Sequence, residues 1–206
     1  MFNEASSLYQ ANNFVAAKAI YEKLTKKLPA NLDVINNLAL TNVNIGDYTT
    51  AKKLLEKSLL INKEQPQVID NLINILLDLK DYPYANKLCD ESIKITPNNS
   101  ITLFNKARAL SGLEKIEEAI EAYKVVLKID PSYFLAHQNL GYILNKLGNY
   151  EEAIDFYNKS IELNPKNLLA FYNKGIAQGN LFLFEEAIRS YKTALEIDIS
   201  FLPASL

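Results

Sequence analysis

Residues 139–165, "NLGYILNKLGNYEEAIDFYNKSIELNP", contain two apolar series at helical spacing with a turn between them. Leu140, Ile143, Leu144 and Leu147 form the first; Ala153, Ile154, Tyr157 and Ile161 form the second. Such spacing places each series on one face of an α-helix. Gly148-Asn149 between them is turn-forming, because glycine enters the left-handed backbone region at no steric cost. Pro165 ends the second run, since proline lacks the N–H that a helix interior needs. The stretch therefore predicts two antiparallel helices.

The pattern recurs along the whole chain at an offset of 34 residues. Ala17, Ala51, Ala85, Ala119, Ala153 and Ala187 form an unbroken series, followed four residues later by Tyr21, Leu55, Cys89, Tyr123, Tyr157 and Tyr191. Pro29, Pro97, Pro131 and Pro165 come twelve residues after their alanines. Phe14, Tyr48, Tyr82, Ile116, Tyr150 and Phe184 stand three residues before them. Complete repeats begin at Leu32, Pro66, Ser100, Phe134 and Leu168; residues 1–31 are a first repeat lacking three positions, and residues 202–206 open a seventh. A fixed period of this length marks stacked supersecondary units, each unable to bury its apolar faces alone.

With these residues the chain resembles the tetratricopeptide repeat family over essentially its whole length, 1–206, as a single repeat domain. The resemblance implies an all-α fold, a right-handed α-solenoid of about twelve helices in antiparallel pairs, whose concave groove is lined chiefly by the first helix of each pair. The residues agree with it. The alanines mark the closest approach of paired helices, and the tyrosine one turn later fills the space beside each.

A second series has no packing task. Asn3, Asn37, Asn71, Asn105, Asn139 and Asn173 share the sixth repeat position, and asparagine has mediocre helix propensity. Helical register sets them on a different face from Leu140 and Leu144, toward the expected groove. A carboxamide both donates and accepts, so a row of them can hold an extended peptide backbone without reading its side chains. The row is similar to the asparagine ladder in the superhelical segment of O-linked N-acetylglucosamine transferases, which implies protein substrates bound in that way. The other reading is that the row bridges neighbouring repeats or caps local backbone groups. Arg108, Tyr142 and Tyr172 join Asn37, Asn71, Asn105, Asn139 and Asn173 as expected peptide-binding residues, with Phe104 and Lys146 nearby and Asp33, Asp70 and Asp78 on the same face earlier in the chain. Some relatives hold acidic tails with a carboxylate clamp of Lys and Asn. The pairs here, Asn36/Leu40, Asp70/Asn74, Phe104/Arg108, Gln138/Tyr142 and Tyr172/Ile176, do not supply it.

Composition narrows the function classes. A formal net charge of -2 with 49% hydrophobic residues suits a packed fold with no phosphate-tracking basic stripe, so nucleic acid is not an expected partner. "MFNEASSLYQ" lacks the parts of a secretory signal and no apolar run has membrane-span length, which points to the cytoplasm and to no membrane partner. Cys89 is the sole cysteine, so neither an intrachain disulfide nor a thiolate metal cage forms. His137, the sole histidine, falls at a packing position, and no catalytic constellation, metal site or cofactor motif emerges. Two functions remain: a non-enzymatic scaffold that binds a partner protein or extended peptide, or the substrate-recruiting front of a longer glycosyltransferase or other transferase. The ending "DISFLPASL" favours a longer chain. Phe182, Leu183 and Phe184, in place of a polar turn, suggest self-association through the sixth repeat.

Overall fold

A computed structural model describes residues 1–199, so the start of a seventh repeat at 202–206 lies outside the described residues. Twelve helices occupy the described residues: α1 (Phe2–Gln10), α2 (Phe14–Lys27), α3 (Leu32–Asn44), α4 (Tyr48–Ile61), α5 (Pro66–Asp78), α6 (Tyr82–Ile95), α7 (Ser100–Gly112), α8 (Ile116–Ile129), α9 (Phe134–Lys146), α10 (Tyr150–Leu163), α11 (Leu168–Asn180) and α12 (Phe184–Ile197). The fold is an all-α helical repeat. The first helices of the complete repeats start at the residues read from the sequence as repeat position one: Leu32, Pro66, Ser100, Phe134 and Leu168.

Local chemistry sets these starts. Asn31, Asn99 and Asn167 accept hydrogen bonds from the backbone N–H of Val34, Thr102 and Ala170, each satisfying a donor that the first helical turn leaves open. Pro66, at the start of α5, has no N–H to leave open. The turns inside the pairs repeat as well. Gly46 and Gly148 adopt φ of +80° and +83°, and the same register places Asn12, Lys80, Glu114 and Phe182 in that left-handed region at φ 58–61°. Only the glycines were legible as turn residues; the other four follow because the stacked helices dictate the backbone.

By contacts the helices divide into two compact units, α1 to α7 within Met1–Glu114 and α8 to α12 from Lys115 onward. In the first, Ala39, Ala51, Leu55, Leu72, Ile73, Leu76, Ala85 and Cys89 are wholly buried in one cluster, and Ala5, Ala17 and Tyr21 in another. In the second, Ala136, Ala153, Tyr157, Ala170 and Ala177 are wholly buried, with Leu140 almost so. Each large apolar side chain buried in this way contributes about 1.5–3 kcal/mol. α9 packs against α10, α10 against α11, and α11 against α12.

Close approach explains the small residues. A Cβ on Gly141 would lie 2.9 Å from Tyr157 Cε1 and 3.1 Å from the Ala153 carbonyl oxygen. The tyrosine thus occupies the space that Gly141 vacates, and Ala153 sets the distance. Leu147 departs from its expected place on the apolar face: it caps the C-terminus of α9 and is 52% exposed. The helix ends there, so its periodicity no longer governs that side chain.

Candidate functional site

The sixth-position asparagines do not form a uniform row. In the first unit Asn37 Nδ2 donates to the Asp33 carbonyl oxygen of its own helix at 2.8 Å. Asn105 is almost wholly buried; its Nδ2 donates to Asn74 Oδ1 at 3.1 Å, and its Oδ1 accepts from Arg108 at 3.3 Å. The first bond joins α7 to α5, and the second lies within α7. Close by on the same two helices, the Thr102 hydroxyl donates to Asp70 Oδ1 at 3.3 Å. Burial pushes the Asp70 carboxyl above its ordinary pKa, and the Thr102 hydrogen bond opposes the shift. Asn71, half-buried, has no hydrogen-bond partner among the described residues. Asn3 is exposed.

In the second unit Asn139 Nδ2 donates to the Tyr123 hydroxyl of α8 at 3.2 Å, and its Oδ1 receives Gln138 Nε2 at 3.5 Å. Asn139 therefore bridges neighbouring repeats. The same sixteen-residue offset pairs Asn173 with Tyr157, yet no such bond forms: Tyr157 Oη is buried without a partner, and Asn173 is half-buried without one. Burial pushes the Tyr157 phenol far above its ordinary pKa, so it stays a neutral O–H donor.

The other expected site residues divide similarly. Arg108 lies over the ring of Phe104, its Cζ 6.0 Å from the centroid, and Phe104 is buried rather than presented on the groove face. Tyr142 is 43% exposed with the Lys146 ammonium 5.2 Å from its ring centroid, a cation–π contact. Tyr172, half-buried, packs its ring against Tyr191 at 5.7 Å. Asp33 and Asp78 are exposed. Tyr142 is thus the one aromatic of the expected set that offers substantial surface.

The two residues weighed for chemistry are structural. His137 Nε2 lies 3.0 Å from the Pro131 carbonyl oxygen, which fixes the proton on that nitrogen, and the ring packs against Phe156 at 5.9 Å. Burial pushes the Cys89 thiol up to about 12, where little reactive thiolate exists near neutral pH. Among the described residues no group of three or more His, Cys, Asp or Glu could hold a metal ion, and no helix is long and apolar enough to cross a membrane.

Comparison with known proteins gives the same repeat. Models described as tetratricopeptide repeat match residues 134–167, 88–121, 32–65 and 169–198, and one described as TPR repeat matches 107–148. No curated protein matches the sequence. Among solved structures, one from the functional characterization of Pseudomonas aeruginosa pilF is 18% identical with a TM-score of 0.74, covering 95% of this chain and 88% of that one. A thermophilic tetratricopeptide-repeat protein of Thermus thermophilus is 19% identical with a TM-score of 0.71, covering 83% and 93%. YrrB, described as a tetratricopeptide-repeat protein with an unusual peptide-binding site, is 23% identical with a TM-score of 0.68, covering 84% and 89%. At these identities the likeness shows the fold. The family matches together span well over half of the chain, and the chain belongs to the tetratricopeptide-repeat proteins.

Proposed function

We propose that this protein is an interaction scaffold that holds an extended peptide segment of a partner protein on the first-helix face of its repeats. The observation that carries the reading is the pair of half-buried carboxamides, Asn71 in the first unit and Asn173 in the second, that have no internal partner. Their amide atoms are not among the buried unpaired ones and so stay open to an incoming ligand, and a peptide backbone supplies both the acceptor and the donor that a carboxamide can use. Asn105 and Asn139 have a different task, since their bonds to Asn74 and Tyr123 tie neighbouring repeats together. On the same helix series, Arg108 in the first unit and the exposed Tyr142 in the second add charge and aromatic surface. A tetratricopeptide-repeat relative in the structural comparison, YrrB, is itself described as having a peptide-binding site.

Short peptides selected on the protein from a random library, then titrated by calorimetry into variants, test the proposal. Asn71→Ala with Asn173→Ala should weaken binding by about five- to 150-fold, each of the two lost hydrogen bonds being worth roughly 0.5–1.5 kcal/mol, with the melting temperature held or slightly raised because alanine is the better helix former. Asn105→Ala with Asn139→Ala should lower the melting temperature. Unchanged affinity in the first double variant, or failure of the library to yield any binder, would sink the proposal.

A further inference from the structure

The first helices of the early repeats carry charge of one sign. α1, α3 and α5 contain Glu4, Asp33, Asp70 and Asp78 and no lysine or arginine, although the chain has 22 basic residues against 24 acidic. The basic residues of these repeats stand on the second helices and in the turns, where Lys18 pairs with Asp47, Lys52 with Asp81 and Lys87 with Glu91. Asp33, Asp70 and Asp78 are in no ion pair. On α7, Lys106 is drawn to Asp90 of α6 at 2.6 Å, and Arg108 to the Asn105 carboxamide and the Phe104 ring. Asp70 alone of the three aspartates is half-buried. The Thr102 hydroxyl reaches its Oδ1 and leaves Oδ2 without a partner. Burial holds this carboxyl above its ordinary pKa, because an anion withdrawn from water without a counter-charge is unfavourable. The repeat does not require an acid there: the same position is Asn36 in α3, Phe104 in α7 and Gln138 in α9. Next to Asp70 in the chain is Asn71, whose carboxamide has no internal partner.

We propose that the first-helix face of the first unit selects a basic extended segment, and that a lysine or arginine of that segment pairs with Asp70. The inference rests on the peptide-holding reading above and names the chemistry of its partner. Charge complementarity chooses the occupant. An ammonium or guanidinium brings both the counter-charge and the hydrogen-bond donor that Oδ2 lacks, and the exposed Asp33 and Asp78 add attraction toward the same face. An acidic segment would meet Asp33, Asp70 and Asp78 uncompensated. An apolar one would bury the Asp70 carboxylate further and leave it unpaired, which costs more than it gains. The first helices of the second unit have no such preference, since α9 and α11 carry Lys146 and Lys174 and no carboxylate. Selection for a basic residue therefore belongs to the first unit.

Peptides selected from a random library on the full chain supply the test. Those whose affinity falls in Asn71→Ala are held on the first unit, and each should contain lysine or arginine. Calorimetric titration of alanine-substituted versions of such a peptide should find one basic residue whose loss weakens binding about tenfold, between the worth of an exposed ion pair and that of a buried one. Asp70→Asn should weaken the unsubstituted peptide by about the same factor, and the alanine change should then cost little more. The melting temperature of Asp70→Asn should hold or rise, since the change removes a charge that burial disfavours. A lower melting temperature would show that Asp70 serves the fold instead. Absence of any binder that senses Asn71 defeats the peptide-holding reading and this inference with it. Binders that sense Asn71 but lack a basic residue, or whose basic residues all lose affinity independently of Asp70→Asn, overturn this inference alone.

Discussion

Lys18 and Lys52 in the first unit occupy the same repeat position as Ile154 and Ile188 in the second, and the difference separates the backbone plan from the chemistry that stitches it. In the first unit Lys18 lies 3.5 Å from Asp47 and Lys52 2.8 Å from Asp81, each aspartate belonging to the turn of the following repeat. The second unit has Ile154 and Leu183 at the corresponding two positions. Asp47 also accepts from the Thr50 backbone, which with Lys18 nearby holds its carboxyl below the usual range. Asp81 makes no such cap and is given to Lys52, whose ammonium it holds above its usual pKa. Helix pairs repeat with either seam, so neither ion pair dictates the architecture. The buried alanines and their neighbours do.

The largest effect that would break this comparison is a cavity in the shared core. Leu72→Ala in the first unit and Leu140→Ala in the second, at one repeat position and both essentially unexposed, should each cost about 2–5 kcal/mol in urea unfolding. A loss in only one of them would show that the two units do not share a common packing plan. Overpacking comes next: Ala51→Leu and Ala153→Leu, each at a wholly buried alanine, should cost about 1–3 kcal/mol, read as lowered melting temperatures. A variant melting with the unmodified protein would remove the close helix contact at that site.

The seam itself should give the smallest response. Lys52→Met should cost no more than about 1 kcal/mol at low ionic strength, because half-exposed ion pairs are weak, and the loss should vanish in molar salt. Ile154→Ser should show no such salt dependence. The Lys52 contribution also has a defined pH window: with its folded pKa raised by Asp81, the stabilisation is present below the ordinary lysine value and is lost as the pH rises through the folded one. Alkaline titration of the melting temperature should therefore fall less steeply in Lys52→Met than in the unmodified chain. A separate measure of core integrity is the thiol, since Cys89 should react with a disulfide reagent at pH 8 far more slowly in the folded protein than in urea.

The sequence by itself determined the repeat. A 34-residue period fixes which residues must face neighbours, because a helix pair buries its apolar faces only by stacking, and the first helices begin at the residues counted from that period. Ala153 and Tyr157 were legible as a close contact for the same reason: small beside large at helical spacing has one packing solution. The asparagine row was legible as a row. What each asparagine does was decided only by tertiary structure, because a carboxamide's partner lies on another helix and varies from repeat to repeat. Sixteen residues before Asn139 stands Tyr123, whose hydroxyl it reaches; before Asn71 and Asn105 stand Leu55 and Cys89, which offer no hydroxyl. Asn37 and Asn173 have tyrosines at that offset, yet Tyr21 is bonded to Ser6 and Tyr157 to nothing. Offsets in sequence therefore supply the candidates, and hydrogen bonding, with its narrow tolerance in distance and angle, selects among them only once the helices are in place.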